Sequence, residues 1–149
     1  TAYLNDSTKL TVNLGHLDPK YTSSKTATDG FQIEQFPYSP KNSLYVSLEK
    51  DFGNYRIRLD HNRKSEYSTN PYNGKDPRAA LSMMEGYGVT DFRLLTEPTE
   101  NMAVTFWIKN LTDADYAVNS IPFGPGFGQL TVSYFGAPRT IGMDLSYKF

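Results

Sequence analysis

The 149 residues predict an all-β chain, folded as an antiparallel up-and-down meander of about six strands. Three observations predict it. Apolar and polar side chains alternate with a two-residue period in run after run, while helical periodicity is weak throughout. Short, turn-forming links between the runs alternate strictly with long ones. Aromatic residues collect in two bands at the ends of the runs.

The runs follow in order. "KLTVNLGHL" sets Leu10, Val12 and Leu14 on one face against Lys9, Thr11 and Asn13 on the other. "SLYVSLEKDF" places Leu44, Val46, Leu48 and Phe52 opposite Ser43, Tyr45, Ser47, Glu49 and Asp51. "YRIRLDHN" sets Tyr55, Ile57 and Leu59 against Arg56, Arg58 and Asp60. In "GYGVTDFRLLT" the apolar side takes Thr90, Phe92 and Leu94 and the polar side Asp91 and Arg93; in "NMAVTFWIKN" the apolar row is Met102, Val104, Phe106 and Ile108. The sixth run starts near residue 129 in "QLTVSYF", kinks at Pro138 and continues to Phe149. Pro138 has no backbone donor, so a bulge, an edge or a break in the ladder is expected there.

Among the links, "FGNY" at 52–55 is a tight turn, because Gly and Asn tolerate positive φ. "TEPTEN" at 96–101 is a second short link. The others are long, covering about residues 17–42, 68–85 and 112–128. All long loops then lie at one end of the sheet and all short turns at the other, which is the habit of outer-membrane barrels. Phe52, Tyr55, Tyr147 and Phe149 fall at the short-turn end, and Tyr67, Tyr87, Tyr116, Tyr134 and Phe135 at the long-loop end, like interfacial girdles. The predicted fold is therefore a segment of a transmembrane β-barrel. The alternative is a soluble β-sandwich or small barrel acting as a binding module, since Tyr and Phe are good strand formers in any sheet. In a sandwich Leu44, Val46, Ile57, Leu59, Val104 and Phe106 would interdigitate in a core.

Composition agrees with either reading of the sheet and removes other classes. Mean hydropathy is negative, and no apolar run approaches the roughly 20 residues a membrane helix needs. Barrel strands need only about 9 to 11 residues and turn every second one outward. The aromatic fraction is 14%, with 11 Tyr and 9 Phe against a single Trp, a supply of rings suited to surfaces wet at one end. There is no Cys, which removes disulfides and thiolate metal sites. A formal net charge of -1 gives no electrostatic case for nucleic acid. The opening "TAYLNDSTKL" has neither a basic start nor an apolar stretch, so it reads as a cytosolic chain or as a mature or truncated piece.

"FWIKNLTDADYAV" resembles the penultimate-strand signature of TonB-dependent outer-membrane receptors, in which an apolar strand runs into Asn-Leu, an acidic residue and a Tyr. "FGAPRTIGMDLSYKF" is similar to the end of that family, a Gly and Pro-Arg before a final alternating strand that stops at Phe. "GHLDPKYT", "YSPKNSLYVSLEKDF" and "GYGVTDFRL" resemble its preceding strands in the same order. The one departure is Thr112, where many members carry an aromatic. The resemblance implies residues 1–149 as the C-terminal segment of a 22-stranded receptor barrel, with the plug domain, the TonB box and the earlier strands absent. It also implies a bacterial outer-membrane location and energy-dependent uptake of a scarce nutrient such as a ferric siderophore. The implied partners are outer-membrane lipid, the protein's own plug and remaining strands, the TonB complex through the absent N-terminal part, and the barrel-assembly machinery reading Tyr147 and Phe149. About six strands cannot close a barrel, for which about eight are needed.

Candidate sites lie in the loops, since loops on a rigid scaffold carry recognition. In "NRKSEYSTNPYNGKDPR" the bases Arg63, Lys64, Lys75 and Arg78 outnumber the acids Glu66 and Asp76, which suits an anionic ferric chelate or lipid phosphates. The expected ligand contacts are Arg63, Lys64, Tyr67, Tyr72, Phe123 and Phe127, the last two for an aromatic ligand. No catalytic constellation, cofactor or metal site is expected. His16 and His61 lie on different strands without a carboxylate at ligand spacing. "FGPGFG" lacks the strand-turn-helix setting of a phosphate loop. Glu49, Asp51, Arg56, Arg58, Asp60, Asp91 and Arg93 are expected to pair with one another on the polar face.

Overall fold

A computed structural model describes residues 1–22, 25–26, 32–33, 35–71, 77–128 and 130–149. The strands are β1 (Ala2–Asn5), β2 (Thr8–His16), β3 (Lys25–Thr26), β4 (Gln32–Ile33), β5 (Asn42–Asp51), β6 (Tyr55–Lys64), β7 (Tyr67–Ser68), β8 (Met83–Met84), β9 (Tyr87–Thr99), β10 (Met102–Lys109), β11 (Ala117–Pro122), β12 (Thr131–Phe135) and β13 (Thr140–Tyr147). One helix, α1 (Pro77–Leu81), precedes β8. A seven-stranded antiparallel sheet carries the order β1-β2-β5-β6-β9-β10-β13, so each long strand lies beside its predecessor. The pairs β3–β4, β7–β8 and β11–β12 form separate two-stranded ladders within the three long connections.

The expected meander is present, with two differences. β1 adds a strand of four residues, too short to show an alternating pattern of its own, joined to β2 through Asp6 and Ser7. The sixth run is two strands in two sheets: β12 pairs with β11, and β13 with β10. The break falls at 136–139, where Pro138 was expected to interrupt the ladder. Pro98, inside β9, is accommodated by a bulge, since the register slips between Met102 and Val104 on the facing strand.

Register makes the two faces explicit. Leu10, Leu48, Leu59, Phe92, Ile108 and Ile141 form one continuous row of cross-strand partners. Lys50, Ile57, Leu94, Phe106 and Met143 form the next. The opposite face carries Lys9, Glu49, Arg58, Arg93, Trp107 and Gly142 in a row. Among the described residues no second sheet covers the apolar face: Met143 is 68% exposed, Leu145 64% and Ile141 60%. Of the residues a β-sandwich would bury, Leu44, Val46, Ile57, Val104 and Phe106 are half-buried and Leu59 is exposed, so the described residues form no interdigitated core on this face. Also among the described residues, β1 and β13 do not pair with each other, so the sheet is open at both edges.

Short turns and long connections segregate as expected. Gly53 has φ +84° and donates its N–H to Asp51 Oδ1 at 2.7 Å, while Phe52 N–H reaches Tyr55 O at 2.9 Å. The Phe52 and Tyr55 rings stack at 4.7 Å and those of Tyr147 and Phe149 meet edge to face at 5.1 Å, which makes the aromatic band at this end. Among the described residues the buried hydrophobic ones, Tyr67, Ala79 and Met84, all lie in the connection between β6 and β9. The small core belongs to the loops and not to the sheet.

Candidate functional site

The described parts of the three long connections, which run between 17–41, 65–86 and 110–139, are bonded to one another at one end of the sheet. The third is fastened first. "NLTDADY" begins at Asn110, which is 2% exposed with φ +51°, a conformation Asn adopts more readily than most residues. Its N–H donates to Asp91 Oδ1 at 2.9 Å, its Oδ1 accepts Ala114 N–H at 2.9 Å, and its Nδ2 donates to Ala114 O at 3.0 Å and Ala137 O at 3.2 Å. Asp113, also at positive φ, accepts Arg139 N–H at 3.0 Å and faces its guanidinium at 3.3 Å. Tyr116 stacks on Tyr87 at 4.4 Å and lies across Gly136, where a Cβ would collide with the ring. The two motifs that carried the family resemblance are thus the two halves of one clasp, and Thr112 is an exposed residue at its rim.

The second connection is locked to the third through side chains. Tyr67 Oη donates to Val118 O at 2.8 Å, Thr69 Oγ1 to Ser120 O at 2.7 Å, and Ser120 Oγ to Leu81 O at 2.8 Å. The first connection joins through Tyr38, whose hydroxyl donates to Asn119 Oδ1 at 2.9 Å and whose N–H donates to Ser68 O at 2.8 Å. Burial pushes the Tyr67 phenol above its ordinary value, and neighbouring Tyr87 and Tyr38 add to the effect. The hairpin β11–β12 rises from this base to a tip at 123–128, where Phe123 and Phe127 meet at 5.9 Å and Phe127 is 75% exposed.

The expected ligand residues are spread over this end rather than gathered. Phe123 and Phe127 are together at the tip. Arg63 and Lys64 are not loop residues: they are the last two of β6 and point to opposite faces, Arg63 in register with Leu44 and Lys64 with Ser43. A cleft of about 880 Å³ opens beside them, lined among others by Leu14, His16, Asn42 and Glu66. Tyr67 is 7% exposed with its hydroxyl occupied, so it supports the loops from within. Tyr72 and Lys75 lie outside the described residues. Asn110 belongs to the Asn-Leu signature of the family-like motif, whereas Tyr38, Thr69 and Ser120 carry no local signal in the sequence.

On the polar face Arg58 Nε donates to Asp60 Oδ1 at 2.9 Å, and Tyr45 Oη, from the next strand, donates to the same oxygen at 2.7 Å while accepting from Arg58 at 2.8 Å. Arg56 bonds Asp51 at 2.9 Å. Pairing is therefore as expected for these four charges, with a tyrosine as the bridge between strands. Arg93 stands in register between Arg58 and Trp107. Trp107 lies across Gly142, donates to Asp144 Oδ2 at 3.0 Å and has Lys109 Nζ at 5.7 Å from its ring centre. His61 turned to the apolar face, where its Nδ1 is 2.9 Å from Thr90 Oγ1.

A two-faced antiparallel meander with its short turns at one end and a knot of loops at the other is the wall of an up-and-down barrel. No protein-family model matches the chain, and neither does any curated protein. Solved structures do. The ferric yersiniabactin uptake receptor FyuA from Yersinia pestis superposes with a TM-score of 0.72 at 16% identity, over 98% of this chain and 22% of that one. The ferric-catecholate import receptor Fiu from E. coli K12, in its closed form, superposes with a TM-score of 0.73 at 17% identity, over 98% of this chain and 19% of that one. The chain thus has the fold of a barrel segment of a TonB-dependent receptor and spans about a fifth of the length of the solved structures it matches.

Proposed function

We propose that the chain is the C-terminal wall of an outer-membrane receptor that takes up a scarce, bulky nutrient, a ferric chelate in the first instance, and has no catalytic role. The observation that carries this reading is the likeness of nearly the whole chain to two iron-chelate receptors, in a sheet whose apolar rows have no protein partner among the described residues. In this reading the apolar rows meet lipid and the polar face meets water, a plug domain and the remaining strands of the same protein. TonB acts through the N-terminal part. Phe123 and Phe127 offer an exposed aromatic surface to ligand, and Arg63 and Lys64, beside the cleft, attract an anionic one. Tyr72 belongs to the same proposal. Tyr147 and Phe149, both exposed at the end of β13, form the signal read by the barrel-assembly machinery.

The test is binding and uptake by the full-length protein. Iron(III) tris-catecholate should quench the purified receptor in detergent, and cells should accumulate labelled complex only with an intact proton gradient. Binding to neither this chelate nor other ferric chelates, or uptake indifferent to the gradient, defeats the reading. Removing Phe149 should lower the amount of receptor in outer-membrane fractions; unchanged amounts remove the assembly signal from the proposal.

A further inference from the structure

The β11 strand is guarded on one side by β12. On its other side the carbonyls of Val118 and Ser120, two residues apart, accept hydroxyls from Tyr67 and Thr69, also two residues apart. The spacing is that of a strand pair, but the donors are side chains in place of backbone N–H groups. Ser120 Oγ returns a bond to Leu81 O, and Tyr38 holds the intervening Asn119. Tyr67, Ser68, Ala79, Ser82, Met84 and Ser120 are all buried around this seam, the last at 3% exposure. Backbone bonds extend it: Thr69 N–H donates to Ser82 O at 2.9 Å and Gln35 N–H to Pro71 O at 3.1 Å.

We propose that the described parts of the second and third connections are one preassembled body, a fixed turret that carries the aromatic tip, with Tyr67 and Thr69 as the positioning residues for Phe123 and Phe127. Long loops with exposed glycines and aromatics ordinarily lose freedom on binding, and that ordering subtracts from affinity. Here the seam has done the ordering beforehand. The hairpin base therefore does not fold around a ligand; it presents a rigid aromatic face, which selects a flat, conjugated surface over a flexible polar one. Any movement of this end takes the two connections together, with the bending left to the strand ends below. The choice of ligand rests on the receptor reading above, whereas the existence of the turret does not.

The experiment separates the two. Hydrogen exchange is followed in the full-length receptor in detergent for amides of β11 and β12 and, as reference, of β5 and β6. In a Tyr67→Phe, Thr69→Val variant, loss of two hydroxyl donors should speed exchange in β11 by about 10- to 100-fold, with β5 and β6 unchanged. Thr69→Ser, which keeps the hydroxyl donor, should retain most of the protection that Thr69→Val loses. A nitroxide at a Gly126→Cys position, where a side chain meets nothing within 4 Å, reports motion of the hairpin itself and should be more mobile in the double variant than in the parent. If β11 exchanges equally fast in parent and double variant, or the label is equally mobile in both, the turret is wrong. If the turret holds and iron(III) tris-catecholate binds equally to the parent and to a Phe123→Ala, Phe127→Ala variant, the assignment of the tip to an aromatic ligand is wrong and the turret stands.

Discussion

The sheet and the loop knot above it solve the same problem in opposite ways. The sheet satisfies its backbone groups strand by strand and leaves both faces uncovered, so that Leu145 remains 64% exposed on one side and Arg93 stands open on the other. The loops have few ladders but bury Tyr67, Ala79 and Met84 completely enough to form a core, held by side-chain hydroxyls on backbone carbonyls. The apolar face of the sheet has no protein partner among the described residues, whereas the loops pack on one another. Long connections in small domains are ordinarily the least stable parts. Here the buried apolar residues lie in the described loops and not in the sheet.

The sharpest way to break that contrast is a charge on the apolar face. Phe106→Arg should destabilise the full-length protein refolded in lipid vesicles by about 2 to 4 kcal/mol, and Thr105→Arg, on the polar face, by less than about 1 kcal/mol. Equal costs would mean that the two faces meet the same medium. Next is the clasp: Asn110→Ala removes the bonds that the buried Asn110 side chain makes to Ala114 and Ala137 and should cost about 3 kcal/mol in urea unfolding, while Asn110→Asp should recover part of that by keeping the acceptor for Ala114. Gly142→Val forces Trp107 off its seat and should cost about 1 to 3 kcal/mol, read with the shift in tryptophan fluorescence. Smallest is the tip. Phe127→Ala should change stability by less than about 0.5 kcal/mol because the ring is exposed; a larger loss would show that the tip is packed and not presented.

Legibility in the sequence followed the same division. The alternation that placed Leu48, Leu59 and Phe92 on one face and Arg58 and Asp60 on the other was correct in register across the sheet, because successive side chains in a strand point to opposite sides whatever the partner. Asn110 and Arg139 lay inside motifs that stood out, although nothing in those motifs said that they clasp each other. Arg63 and Lys64 were read as loop residues, yet the strand continues through them and separates their directions. Ser120, at 3% exposure, gave no local sign of burial.

What the residue order decided by itself was the two-faced sheet, the segregation of short turns from long connections and the interruption at Pro138, all consequences of local sterics acting over one or two residues. What only the tertiary structure decided was the loop architecture: the seam of Tyr67 and Thr69 on Val118 and Ser120 joins positions 51 residues apart. A hydroxyl finds a carbonyl at that separation only when the strands between them have set both in place, and no periodicity in the chain encodes which carbonyl it will be.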